Sequence, residues 1–319
     1  MIDLAPIIQA VRLAAVLCRE VQRHHIISSE KGGQGPVTIA DYGAQAILCR
    51  AIKQAFPHDA IIAEESGTQF AELVAPEQRQ QIAQLVGGVL GESTDETEII
   101  EWLEYASGGT SARQWLIDPV DGTKGFLALR HYVIAVGLLE ESQPTAAVIG
   151  APAFTIDDPK GAIFYASDGE AYLQSMSQRN PPRRIYASER SDSLTLRALE
   201  SVEKGHASHE QMAKVRARLG MDPNMIERID SQEKYARIAA GEGELYLRLP
   251  RRSGGEYQAW DHAPGAALVL AAGGKVTDID GSPLDFTKGR VLNNQGVIVT
   301  NGRFHDQAIE AVQQILREE

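Results

Sequence analysis

The stretch "WLIDPVDGTKGF" (115–126) constrains the fold of this chain more than any other. Trp115, Leu116 and Ile117 read as a short buried strand, and that strand ends abruptly on Asp118 and Asp121 around Pro119-Val120. Proline fixes the backbone there, so both carboxylates and the Val120 carbonyl can turn toward one point. Two like charges left together without a counter-charge are costly, and the pattern calls for a cation between them. Hard oxygen donors suit Mg²⁺, which keeps waters and shares the phosphate oxygens of a substrate. Gly122-Thr123 then opens a helical turn, whose free N–H groups and positive dipole end suit a phosphate. Carboxylate-held metal beside a phosphate seat is the arrangement of metal-assisted phosphoryl transfer.

Three other places set acids at a strand end or a helix start: Asp41 in "VTIADYGAQA", Glu64 and Glu65 in "IIAEES", and Asp261 in "AWDHAPGAAL". Each alone has a plainer reading. Asp41 would cap a helix over 40–56, and Asp261 would cap the helix that starts near Pro264. Glu65 would pair with a surface base. Asp118 and Asp121 have no equally plain alternative. The sequence carries no Walker loop and no GxGxxG turn, which disfavours nucleoside triphosphate and dinucleotide chemistry, and no HExxH or Cys/His cluster that would suit zinc.

With 319 residues the chain exceeds one small core. Alternating helical and strand-like runs imply an α/β (α+β) protein of two sheet-centred domains, 1–180 and 181–319, joined through "QSMSQRNPPRR" (174–184). Helices are expected at 4–21, 40–56, 72–90, 193–201, 208–219, 231–240, 264–273 and 305–317. The run "AIIAEES" (60–66) is short, apolar and ends on carboxylates, as does the strand that opens 115–126, and further strands are expected at 132–140, 145–151, 161–166, 170–174, 184–188, 225–230, 244–249 and 296–300. Ser28 to Pro36 reads as a loop, and 91–112 as an acidic surface excursion. The formal charge of −12 argues against nucleic acid and anionic membrane as partners. Cys18 and Cys49 fit no metal spacing and read as buried thiols, and charges interrupt the N-terminal apolar pattern. A cytoplasmic setting follows from both. Nothing in the sequence points to a protein partner.

The ordered set "IIAEES", "WLIDPVDGTKGF" and "WDHAPGAALVLAAGG" resembles the lithium-sensitive, magnesium-dependent inositol monophosphatase superfamily. "SVEKGHASH" (201–209), "DSQEKYARIAAGEGELYLRLP" (230–250) and "PLDFTKGR" (283–290) are similar to its bisphosphate nucleotidase branch, which acts in sulfur metabolism. The resemblance implies an αβαβα layered sandwich. It further implies hydrolysis of the 3'-phosphate of 3'-phosphoadenosine 5'-phosphate to AMP, with the sulfated form as a further candidate. Inositol (poly)phosphates and sugar bisphosphates are the rival substrates. By motif position, Glu64, Asp118, the Val120 carbonyl, Asp121 and Asp261 would hold two or three Mg²⁺ ions. Asp41 and Thr123 would polarise the attacking water. Gly122 and Thr123 would seat the phosphate, and His206, Ser231, Lys234 and Arg248 would contact the adenosine bisphosphate. Pro264 departs from the small helix-former usual in this family.

Overall fold

Ile7, Val11, Ala14, Ala15, Cys18 and Val21 recur at helical spacing, and in the computed structural model they line the buried side of α1 (Ala5–Arg23). The structure describes residues 2–23, 28–31, 35–106, 111–202, 209–250 and 256–318, with 28–31 and 35–38 described by backbone course alone. Where the glycine-rich sequence suggested a loop, β1 (Ser28–Lys31) and β2 (Gly35–Thr38) pair as an antiparallel ribbon. Next come α2 (Ile39–Ala55) and β3 (Ala60–Ala63). The helix expected over 72–90 is two helices, α3 (Gly67–Leu73) and α4 (Pro76–Leu90). Pro76 forces Ala75 into extended backbone and so breaks the run. Part of the acidic excursion is α5 (Glu96–Glu104), started by a capping box between Asp95 and Glu98.

The first sheet contains β3, β4 (Arg113–Asp121), β5 (Val133–Glu140), β6 (Gln143–Ala151), β7 (Ala162–Ser167), β8 (Glu170–Ser175) and β9 (Arg183–Ile185), in that spatial order. β3 and β4 run parallel, and every later neighbour is antiparallel. The short helix α6 (Thr123–Leu127) follows β4. The second sheet has the order β11 (Ile226–Arg228), β10 (Ala198–Glu200), β12 (Leu245–Arg248), β16 (Val297–Thr300), β14 (Lys275–Thr277). Around it lie α7 (His209–Arg218), α8 (Glu233–Ala239), α9 (Ala263–Ala271) and α10 (His305–Arg317), and β13 (Tyr257–Gln258) pairs with β15 (Val291–Leu292). The helix expected over 193–201 is instead a tight turn at 193–195 followed by β10. Ala198 pairs with strands on both sides, and a strand enclosed in this way shows no alternation in sequence.

Core side chains alternate across the sheets and divide the molecule into five layers. Trp115, Ile117, Ile134 and Val136 face α1 and α2 in one core. Leu116, Val133, Ala135 and Ile149 face α8 and α9, which also meet Leu199, Tyr246 and Val299 of the second sheet. The far side of that sheet, with Ala198, Leu247 and Ile298, packs on α7 and α10. The order is therefore αβαβα, as expected. Cys18 and Cys49 are buried and unbridged. Among the described residues no helix is long and apolar enough to cross a membrane.

Candidate active site

In the parallel pairing of β3 with β4, Ala63 lies beside Ile117, so Glu64 and Asp118 leave the sheet at the same end. Asp118 and Asp121 are three apart, and regular pleating would send them to opposite faces. The ladder slips here: Asp118 pairs with Ala135 but Asp121 with Val133, so β4 holds one residue more than β5. Pro119, which has no N–H to donate, lies inside this bulge. The extra residue restores parity and brings both carboxylates to one side. Gly122 then turns with φ of 89°, a region open to glycine, and α6 starts at Thr123. The Thr123 hydroxyl donates to the Val120 carbonyl at 3.1 Å.

Two neighbouring segments complete the acidic neighbourhood. Asp41 is buried in the first turn of α2, which begins at Ile39, so it stands inside the helix rather than capping it. Gln45, one turn later and fully buried, fixes the Glu65 backbone by accepting its N–H and donating to its carbonyl. From the second half, the first turn of α9 approaches Gly137 of β5 so closely that a Cβ there would lie 2.9 Å from Pro264 nitrogen. Pro264 thus occupies the first helical turn without breaking α9, and Asp261 just precedes it.

The charges register one another. Burial, then the charges of Asp121, Glu64, Asp261 and Asp41, hold the Asp118 carboxyl well above the usual carboxylate range. Burial and Asp261 push Asp121 up to about 6, against the pull of Lys234 and the Gln232 N–H. Asp118 Oδ1 is buried and has no hydrogen-bond partner. As the side chains stand, no three His, Cys, Asp or Glu residues among those described close into a metal cage. Two of the carboxylates are held by protein donors: Asp121 Oδ2 accepts the Gln232 N–H at 2.6 Å, and Asp261 Oδ2 lies 3.4 Å from Arg248 Nη1.

The expected substrate contacts are distributed unevenly. Ser231 packs against Gly122, its Cβ 3.1 Å from where a Gly122 Cβ would be. Lys234 is buried, and its ammonium donates to the Ile229 and Ser231 carbonyls at 3.0 and 2.7 Å, so it supports the turn from within. Burial lowers its pKa to about 8. The Arg248 guanidinium lies over the Tyr257 ring, with Nη1 toward Asp261 and a buried Nε that has no hydrogen-bond partner. His206 lies outside the described residues. Sequence reasoning missed Gln45, Gln232 and His262. All three are fully or almost fully buried polar residues; Gln45 alone stands inside an apolar helical run, and there the mismatch was the available signal. His262 contacts the Tyr235 hydroxyl at 2.7 Å, and burial holds its imidazole well below its ordinary pKa and so uncharged.

The model of the inositol monophosphatase family matches residues 3–317. A 3'(2'),5'-bisphosphate nucleotidase of Emericella nidulans is 35% identical, covering 97% of this chain and 96% of its own. In Candida albicans, 3'(2'),5'-bisphosphate nucleotidase 1 is 32% identical, with coverage of 96% and 93%. The solved structure of the extragenic suppressor protein suhB from Bartonella henselae superposes with a TM-score of 0.68 at 21% identity, covering 97% of both chains. That likeness shows the fold. With the family match running nearly from end to end, the chain belongs to the inositol monophosphatase family.

Proposed function

We propose that the protein is a divalent-metal-dependent phosphomonoesterase that hydrolyses the 3'-phosphate of 3'-phosphoadenosine 5'-phosphate, giving AMP and phosphate. The observation that carries the reading is Asp118. Its Oδ1 is buried without a partner among the charges of Glu64, Asp121, Asp261 and Asp41. A carboxylate placed like this fits a cation, since the charges that bear on it most are all negative. The donors are all hard oxygens, which suits Mg²⁺. The names of the relatives support the choice of substrate, as does Arg248, whose unpaired Nε suits a phosphate oxygen. Two or three ions, lithium inhibition and a cytoplasmic setting complete this reading.

Glu64, Asp118, the Val120 carbonyl, Asp121 and Asp261 would hold the metal. When bound, Mg²⁺ polarises the phosphoryl oxygens and eases deprotonation of water. Asp41 takes a proton from the attacking water, and Thr123 helps to orient that water. Water oxygen bonds to phosphorus as the bond from phosphorus to the 3'-oxygen breaks. The 3'-oxygen leaves as the hydroxyl of AMP by taking a proton from solvent water, and inorganic phosphate is released. Gly122 and Thr123 seat the transferred phosphate, while Ser231 and Arg248 face the nucleotide.

The test is phosphate release from 3'-phosphoadenosine 5'-phosphate by protein stripped with chelator and then resupplied. Activity should vanish on stripping, return with Mg²⁺ and return poorly with Ca²⁺, which tolerates looser geometry. Undiminished release by the stripped protein would overturn the proposal.

A further inference from the structure

Asp121 belongs to the first sheet and Asp261 to the segment before α9, and Gln232 touches both neighbourhoods. Its backbone N–H donates to Asp121 Oδ2 at 2.6 Å. Its side-chain Nε2 donates to the Trp260 carbonyl at 3.0 Å, immediately before Asp261. Its Oε1 accepts the Gly265 N–H at 3.0 Å. Residue His262 at the start of α9 gives that helix no side-chain cap, so Gly265 in the first turn would otherwise lack a partner. The Gln232 amide, 2% exposed, therefore holds the 260–265 turn on both sides of Asp261.

The backbone that presents Gln232 is itself strained. Ser231 has φ of 71°, which non-glycine residues rarely adopt. Lys234 Nζ on the Ser231 carbonyl and the Glu233 N–H on Ser231 Oγ hold that conformation. A residue kept in such a state by its surroundings is characteristic of a functional turn. Here the turn directs the Gln232 N–H at Asp121 while its side chain reaches the opposite segment.

We propose that Gln232 is a positioning residue that fixes Asp261, in the turn before α9, relative to Asp121 at the end of β4, and so sets how tightly the site holds its metal. This rests on reading both carboxylates as ligands. Groups that orient metal ligands are typically worth about 10- to 100-fold in metal affinity.

Gln232→Met keeps the length of the side chain and the backbone N–H on Asp121, but removes both side-chain hydrogen bonds. Mn²⁺ binding to substrate-free protein, read from the paramagnetic resonance of free ion, is compared in wild type and variant. Hydrogen exchange at the Gly265 amide is followed in parallel. The variant should bind Mn²⁺ about 10- to 100-fold more weakly and exchange Gly265 faster. Its kcat should recover at excess metal, which a general folding defect would not allow. Gln232→Asn keeps both polar groups one methylene short, and should show the same weakening with a native circular dichroism spectrum even where the Met variant fails to fold. Wild-type Mn²⁺ affinity in a folded variant overturns the proposal. Absence of Mn²⁺ binding by the wild type overturns the metal reading and this proposal with it.

Discussion

Gln45 holds the backbone of Glu65 from both sides, its Oε1 accepting the N–H at 2.8 Å and its Nε2 donating to the carbonyl at 2.7 Å. Through this pair α2, which carries Asp41 one turn earlier, is tied to the end of β3. Gln45→Leu leaves two backbone groups of a buried residue unpaired. An unpaired buried group costs about 1–3 kcal/mol, so urea denaturation should show a loss of at least that size. The variant should also need more Mg²⁺ for half-maximal activity. Unchanged stability would mean that water replaces the pair freely.

Asp41→Asn separates catalysis from architecture. A buried Asn keeps the shape, so the variant should fold, melt within a few degrees of wild type and bind Mg²⁺. It loses the proton acceptor, and removing a general base typically lowers the rate about 10²- to 10⁴-fold. Thr123→Ala should behave similarly, and the double variant should be little worse because the two act as one unit. A kcat for Asp41→Asn within about threefold of wild type would assign the proton to another group.

Arg248→Ala should raise KM for the bisphosphate by about 10- to 150-fold, the worth of one charge-assisted phosphate contact of roughly 1.5–3 kcal/mol. Arg248 also shares Asp261, at 3.4 Å. Removing that competing cation should leave metal affinity equal or higher. Weaker metal binding in the variant would show that Arg248 serves the metal site rather than the substrate.

Stability should depend on pH through His305, the first residue of α10. Its two ring nitrogens lie 2.9 Å from the hydroxyls of Thr277 and Thr300, and burial, with Lys275, lowers its pKa from 6.5 to about 4 against the pull of Asp306. Below pH 6.5 the unfolded chain takes up a proton that the folded chain refuses. The stability present above 6.5 is therefore lost progressively as pH falls toward about 4. His305→Gln should flatten that part of the stability curve relative to wild type. Parallel curves for the two proteins would refute the assignment.

The amphipathic helices and the apolar strands were legible because their patterns repeat over many residues. β10 was not, since Ala198 and Leu199 sit in a buried parallel strand with no period of its own. The ribbon β1–β2 hid behind glycine and serine. The carboxylates at 118 and 121 were legible as a pair, but the bulge that turns them to one side depends on the register with β5. Lys234 was expected by motif to contact the nucleotide, and its ammonium lies buried against the carbonyls of its own turn. Gln45 and Gln232 act through partners distant in sequence, which local spacing cannot reveal.

Metal-dependent hydrolysis of a bisphosphate nucleotide is read from kcat/KM at saturating Mg²⁺ for four substrates side by side. These are 3'-phosphoadenosine 5'-phosphate, inositol 1-phosphate, inositol 1,4-bisphosphate and fructose 1,6-bisphosphate. The nucleotide should lead inositol 1-phosphate by about 10- to 150-fold, the worth of the extra phosphate contact alone. Equal or faster turnover of inositol 1-phosphate would contradict the nucleotidase reading.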